Sequence, residues 1–308
     1  MATPKASIVI TTRNRKDDLE RALASCLNQT IQVEVVVVDD GSDDGTSEMV
    51  KAKFPEVVLY RADVAKGYIV QRNFAARMAK GAILFSLDDD ACFSSPCVVE
   101  QILDEFGNPA VGAVAIPFID VCKEPVIVRQ AAPAETGDFV ISSFIGTAHA
   151  LRRDLFLQLG GYREQLFHQG EESDYCLRML HSGYVVKLGR SDAIHHFESP
   201  KRDFRRMDLY GRRNNVLFGW HNAPSVILPL YLLATTFNGI RYGLRVRRVE
   251  PMIRGLTMGF SCIPQEWSQR NPVSLSAYKM YRDLVKCGSV SMDETISRIA
   301  QRQPILGI

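Results

Sequence analysis

The sequence has no Cys-x-x-Cys pair and no regular cysteine spacing. Its seven cysteines, Cys26, Cys92, Cys97, Cys122, Cys176, Cys262 and Cys287, are odd in number. This argues against a disulfide framework and against a zinc site, and favours a reducing compartment. Charge of one sign is also lacking: 37 Lys and Arg against 35 Asp and Glu leave a net +2. No strong field draws the chain to nucleic acid, and none is expected as a partner. The N-terminus shows no signal-peptide core, because Ser7 to Thr11 is short and reads as a strand. The most apolar stretch, Val226 to Phe237, contains Pro229 and runs only about a dozen residues, against the roughly 20 of a spanning helix. A cytoplasmic protein is expected. Arg241, Arg245, Arg247, Arg248 and Arg254 follow that stretch. Two readings of 226–254 stand: a core helix with a solvated basic end, or peripheral contact with the anionic inner face of a cell membrane.

Two nucleotide motifs are missing as well. No Gly-x-Gly-x-x-Gly follows the first strand and no Gly-x-x-x-x-Gly-Lys-Ser/Thr occurs, which argues against a dinucleotide fold or a P-loop. No internal repeat or low-complexity tract is visible. What is present is ordinary globular composition over 308 residues, 46% hydrophobic and 23% charged. Short apolar runs alternate with helical periodicity. Strands are expected at Ser7–Thr11, Val35–Val38, Val57–Tyr60, Ile83–Leu87 and Val111–Ile116, with helices between them at Lys16–Leu27, to about Ala52, Gly67–Met78 and Pro96–Phe106. This is an α/β pattern: a mostly parallel central sheet with helices on both faces. Residues 117–146 are less regular. A strand at Thr147–Ala150, a helix at Glu171–Ser182 and a strand at Tyr184–Leu188 follow. The chain is mostly helical from about Asp203, so a catalytic domain over 1–203 and a helical C-terminal extension over 204–308 are expected.

In such sheets ligands bind beyond the carboxyl ends of the strands. The residues there are Thr11-Thr12-Arg13-Asn14, Asp39-Asp40 and Asp88-Asp89-Asp90. Three adjacent carboxylates repel one another unless a cation compensates, and oxygen ligands suit Mg²⁺ or Mn²⁺ bridging to phosphates. Asp88 and Asp90 are candidate ligands; Asp89, on the other face of the backbone, is a candidate for a sugar hydroxyl. The plain alternative is a solvated, helix-capping acidic turn. Asp39-Asp40 can accept from a base N–H or a ribose hydroxyl, or can merely begin the turn at Gly41-Ser42. Thr11, Arg13, Asn14 and the pair Arg72-Asn73 are candidates for base and diphosphate contacts; the alternative for each arginine is simple solvation. Glu171-Glu172-x-Asp174 opens a helix, where acids are favoured by the dipole, or supplies a general base for an acceptor hydroxyl. Of His195-His196, at most one faces a metal, since successive residues of an extended segment point opposite ways. His149 is a candidate on the acceptor side, with Glu171.

In this order these motifs resemble glycosyltransferase family 2, the inverting transferases with the GT-A fold. The carrying residues are Ser7 to Arg15, Val36 to Thr46, Leu87 to Ala91, Gly170 to Arg178 and Ile194 to His196, and the resemblance covers about residues 5 to 215. It implies roles. Thr11 and Asp40 would contact the nucleoside, with Arg72 or Asn73 near it, and Asp89 the ribose. Asp88-x-Asp90 would be the family's metal and diphosphate motif. Glu172 would be the base, at a position more often Asp. His195 would match a late metal-binding histidine. Arg178 and Arg213-Asn214 fit patterns of bacterial polysaccharide-building members. The implied activity is metal-dependent, inverting transfer from a nucleotide-diphospho-sugar to a glycan or lipid-linked acceptor, in exopolysaccharide, O-antigen or cell-wall assembly. Two other classes compete. A nucleotidyltransferase would carry a Gly-rich basic loop after the first strand, and Thr12-Arg13-Asn14 lacks glycine. A non-catalytic sugar-nucleotide module would be favoured by loss of Glu172 or the Asp run, and both are present. The helical tail is a candidate surface for membrane, for a partner, or for a second copy in a homodimer.

Overall fold

The computed structural model describes residues 4–197 and 203–301; residues 198–202, just before the expected boundary at 203/204, lie outside them. The first half alternates as β1 (Ala6–Thr12), α1 (Lys16–Leu27), β2 (Glu34–Asp39), α2 (Thr46–Lys53), β3 (Val58–Arg61), α3 (Tyr68–Met78) and β4 (Ile83–Leu87). There follow β5 (Ala91–Phe93), α4 (Val98–Asp104), β6 (Val111–Ala115), β7 (Phe118–Asp120), β8 (Val128–Arg129), β9 (Phe139–Ile141) and β10 (Ala148–Arg152). Then come α5 (Arg153–Gln158), α6 (Glu171–His181), β11 (Val185–Leu188) and β12 (Ile194–His196). The last third holds α7 (Phe204–Asn222), α8 (Leu228–Arg245), α9 (Val249–Cys262), α10 (Leu275–Cys287), β13 (Ser289–Ser291) and α11 (Met292–Ala300).

The nine-stranded main sheet runs β13-β9-β11-β6-β10-β4-β1-β2-β3. β3, β2, β1 and β4 are parallel, as βα alternation requires. The other half is mixed. β10 runs antiparallel between β4 and β6, whereas β11 is parallel to β6. A period of two sorts the core between the two faces. Ile8, Ile10, Val35 and Val37 pack with Leu19, Leu23 and Cys26 of α1. Val9, Val36 and Val38 turn the other way, toward Ile69 and Ala76 of α3. The helical extension also returns a strand to the sheet. β13 pairs antiparallel with β9, and Ala277, Tyr281 and Leu284 of α10 join the same core as α1.

This arrangement sets the site. In the order β4-β1-β2 the parallel strands end side by side, so Asp88, Thr11-Thr12 and Asp39-Asp40 share one edge. A second, four-stranded sheet, β5-β12-β7-β8, begins just past the Asp run and folds His196 and Asp120 back against it.

Candidate active site

A cleft of about 620 Å³ opens at that carboxyl edge. Thr11, Arg13, Asp40, Arg72, Asp88, Asp89, Glu171 and Glu172 all line it, so most of the sequence-predicted positions converge on one space.

The two acids after β2 divide their work. Asp39 is fully buried and forms the turn: its Oδ1 accepts from the Ser42 N–H at 2.8 Å and its Oδ2 from the Ser47 hydroxyl at 2.5 Å. The plain turn reading therefore describes Asp39. Asp40 faces the cleft, with Oδ1 accepting from the Lys66 N–H and Gln71 Nε2, and Oδ2 from the Gly67 N–H at 2.9 Å. A carboxylate offers about four acceptor positions, so one remains toward the cleft.

The acid run is bracketed by guanidinium groups. Arg15 Nη1 lies 2.5 Å from Asp90 Oδ2 and 3.3 Å from Asp89 Oδ1. Arg72 Nη2 lies 2.5 Å from Asp88 Oδ1. The chain itself thus supplies counter-charge, and repulsion alone does not demand a metal. Burial pushes the Asp89 carboxyl up to about 7, against the pull of Arg15. Asp90 goes the other way: burial raises it, but hydrogen bonds with His196 and Arg15 outweigh that and hold it below the usual range.

Asp88, Asp90 and His196 offer ligand atoms that all lie within 4.8 Å of one another. The histidine that the fold brings to the acid run is therefore His196, not the expected His195. β12 pairs antiparallel with β5, so His196 sits opposite Ala91, next to the acid run, and the Phe197 N–H donates to the Asp90 carbonyl. Strand alternation turns His195 to the opposite face. His196 Nε2 is 3.4 Å from Asp90 Oδ1 and its Nδ1 is 2.6 Å from Asp120 Oδ1. Burial lowers the imidazole's affinity for a proton, but the bonds to Asp90 and Asp120 raise it overall. A carboxylate behind an imidazole orients metal-binding histidines generally. Two carboxylates and one such imidazole are a chemically sound set for Mn²⁺ or Mg²⁺. Asp120 is anchored in turn by Arg129 Nε at 3.1 Å and by Lys123.

At the far side of the cleft, Glu171 and Glu172 open α6. Burial, followed by mutual repulsion at Glu171, pushes the pair above the ordinary carboxylate range, with Arg72 opposing. Arg72 Nη1 reaches Glu171 Oε1 at 3.4 Å, so one buried guanidinium joins Asp88 to the Glu pair. Gly146 makes this approach feasible: a Cβ there would lie 2.6 Å from Glu172 Oε1 and 2.9 Å from Arg72 Nη1. The loop before α6 holds Phe167 and Gln169 at positive φ, a costly conformation for such residues. Asn214 of α7 secures it: its Nδ2 donates to the carbonyls of Leu166, His168 and Gln169 at 2.7–2.8 Å.

Two further expectations are corrected. Asn73 does not line the cleft. Its Nδ2 donates to the Tyr162 carbonyl and Glu164, and its Oδ1 accepts from the Tyr162 N–H at 2.9 Å, so it ties α3 to the 160s loop. Helical geometry turns it away from its neighbour Arg72. His149 is fully buried, stacked on Phe144 at 3.9 Å and bonded through Nε2 to the Tyr162 hydroxyl. It supports the floor and meets no acceptor. Asp174, the third acid of its motif, is likewise structural, bonded to Arg163, Arg178 and Asn222. Sequence reasoning placed the acceptor near Gly146, which does line the cleft, but gave no role to Arg15 or Asp120. The one available signal was that Asp120 is the only charged residue in Val111–Cys122.

The family model described as Glycosyl transferase family 2 matches residues 7–160. An uncharacterized glycosyltransferase of Haemophilus influenzae is 30% identical over 183 residues, covering 56% of this chain and 61% of that protein. The succinoglycan biosynthesis protein ExoU of Rhizobium meliloti is 28% identical over 201 residues, covering 59% and 58%. The chain thus spans less than two thirds of the length of these relatives. Among solved structures, a mannosyltransferase of Pyrobaculum calidifontis in complex with GDP-Man and Mn²⁺ superposes with a TM-score of 0.57 at 19% identity, over 98% of this chain and 87% of that one. The GT-A architecture is shared.

Proposed function

The chain belongs to glycosyl transferase family 2, and on that premise we propose that it moves a sugar from a nucleotide-diphospho-sugar to an acceptor hydroxyl with inversion. The observation that carries this reading is Arg72, which links Asp88 at the donor end of the cleft to the Glu171–Glu172 pair at the acceptor end. Asp40 and Thr11 receive the nucleoside, Asp89 the ribose, and Arg13 and Arg72 the diphosphate. Asp88, Asp90 and His196 hold a divalent ion, Mn²⁺ or Mg²⁺, with Asp120 fixing the imidazole. When bound, that ion supplies Lewis-acid neutralisation of charge on the leaving diphosphate. Glu172 takes the acceptor proton as the hydroxyl attacks the anomeric carbon from the opposite side. Burial raises the proton affinity of Glu172 against the pull of Arg72, and the hydrogen bond with Glu171 also lowers it.

Similarity to a succinoglycan biosynthesis protein supports a role in bacterial polysaccharide assembly, with a glycan or lipid-linked acceptor. In this reading the enzyme works at the inner face of the cell membrane, with a catalytic unit over 1–203 and its extension over 204–308. The test is a panel of nucleotide sugars assayed for turnover with and without Mn²⁺. Glu172→Gln should retain donor binding and lose turnover; Asp90→Asn should lose metal-dependent donor binding. Normal turnover in Glu172→Gln would sink the base assignment.

A further inference from the structure

The outer helices carry a surface that the transfer reaction does not use. No helix among the described residues is long and apolar enough to cross a membrane. Yet α8 turns apolar residues outward at helical spacing: Leu230, Leu233, Phe237, Ile240 and Leu244 recur every three or four positions. Leu230, Leu233 and Phe237 leave 68%, 70% and 66% of their surface exposed. The opposite face of α8 is the packed one. Thr235, Gly239 and Gly243 are buried, with Gly239 against Arg212 and Gly243 against Met252 and Val249 of the neighbouring α9. α9 adds exposed Ile253 and Phe260. A ridge of this kind, opposite a complete packing face, is a surface meant to be covered.

Charge identifies the cover. Arg241, Arg245, Arg247 and Arg254 are all exposed, and no ion pair engages them among the described residues. The two acids nearby are already used: Asp208 pairs with Arg248 and Glu250 with Arg205. Residues 224–249 contain no Asp or Glu. A second copy laid on this ridge, parallel or antiparallel, would therefore meet arginine with no acid to answer it. An anionic bilayer answers both features. Its acyl boundary receives the leucine and phenylalanine ridge, and its phosphates receive the guanidinium groups, whose stems lie along apolar surface.

We propose that α8, with the start of α9, lies flat on an anionic lipid surface, its Leu230–Leu244 ridge at the acyl boundary and Arg241, Arg245, Arg247 and Arg254 at the headgroups. This inference deepens the proposed placement at the inner face of the cell membrane, and does not depend on the transfer reaction.

The test is co-sedimentation of the full chain with vesicles of phosphatidylcholine alone or mixed with phosphatidylglycerol. Binding is expected to the mixed vesicles and to weaken with salt. Each basic residue near such a surface contributes about fivefold in partition, so Arg241→Ser with Arg245→Ser should weaken binding about 25-fold. Leu233→Ser with Phe237→Ser should weaken it at least about tenfold, since both apolar side chains that would enter the acyl boundary are lost. All four positions are exposed, and melting curves check that the variants fold. Wild-type protein that stays in solution with mixed vesicles overturns the proposal, whatever the variants do. So does a dimer in light scattering that the Leu233 and Phe237 changes dissociate. Turnover of a soluble donor, measured separately, tells failure here from failure of the transferase reading.

Discussion

The choice of His196 over His195 rests on one strand register, and it can be tested to a number. His196 Nδ1 is 2.6 Å from Asp120, leaving Nε2 toward Asp90. Asp120→Asn removes the charge behind the imidazole while keeping its size. Changes of that kind typically cost on the order of 10–100-fold in metal affinity, or about 1.4–2.8 kcal/mol at a factor of ten per 1.4. His196→Ala, which removes the ligand atom itself, should cost more than Asp120→Asn. His195→Ala should cost nothing measurable, because that side chain stands on the other face of β12. The assay is calorimetric titration of Mn²⁺ into each variant in the presence of a nucleoside diphosphate, with melting temperatures as the control for folding. The ordering is the result that matters. If His195→Ala weakens Mn²⁺ as much as His196→Ala, or if Asp120→Asn leaves the affinity unchanged, the proposed ligand set is wrong.

Other consequences follow from the same geometry. Gly146→Ala places a methyl where Glu172 Oε1 and Arg72 Nη1 now lie, 2.6 and 2.9 Å from its centre; both are ends of long side chains, so melting should change little while kcat falls at least about tenfold. The acid limb of the pH–rate profile should lie above the ordinary carboxylate value of about 4.3, because burial raises both Glu171 and Glu172 against the pull of Arg72; a limb at or below that value would assign it to another group. Burial pushes His149 down to about 3, so between about 6.5 and 3 the unfolded chain binds a proton that the folded chain does not. Stability from this residue is present above 6.5 and is lost as the pH falls, by about 2 kcal/mol at pH 5; denaturant titration should show a shallower pH slope in His149→Gln. Asn214→Ala removes the donor that serves three carbonyls of the loop before α6, and should lower stability by about 1–3 kcal/mol.

How much of this was legible in the sequence depends on distance along the chain. The helix at Lys16–Leu27 and the strand at Ile83–Leu87 have the expected bounds, because the helix buries one face at helical spacing and the strand is a short run buried on both faces. The placement of Asp40, Asp88 and Asp89 at one edge followed from the parallel order of β4, β1 and β2. What periodicity does not carry is register between distant segments. β10 enters the sheet antiparallel from more than sixty residues after β4, and β13 closes its edge from the end of the helical extension. The same limit explains His195. Alternation says that only one of two adjacent histidines faces the metal side; it is the pairing of β12 with β5 and β7 that says which. Asn73 shows the reverse case, since adjacency to Arg72 suggested a shared role that helical geometry separates.

The charge pattern of the cleft gives Arg72 a place no other residue can fill. Its two terminal nitrogens point to different acids, Asp88 at 2.5 Å and Glu171 at 3.4 Å. A planar fork can hold both at once, whereas a lysine is a single point charge and would have to choose. The residue is also buried, so its charge is screened less by water than that of exposed Arg13. That position has opposite effects at its two ends. Toward Asp88 it offsets the repulsion of the acid run and presents a cation beside the space for a diphosphate. Toward Glu171 it restrains the rise in proton affinity that burial alone would cause. A base too strongly raised would hold its proton and one not raised would be weak, so in the proposed role Glu172 would depend on an arginine that also faces Asp88. Gly146 is the steric condition for that arrangement, since any side chain there would displace the base, the arginine, or both.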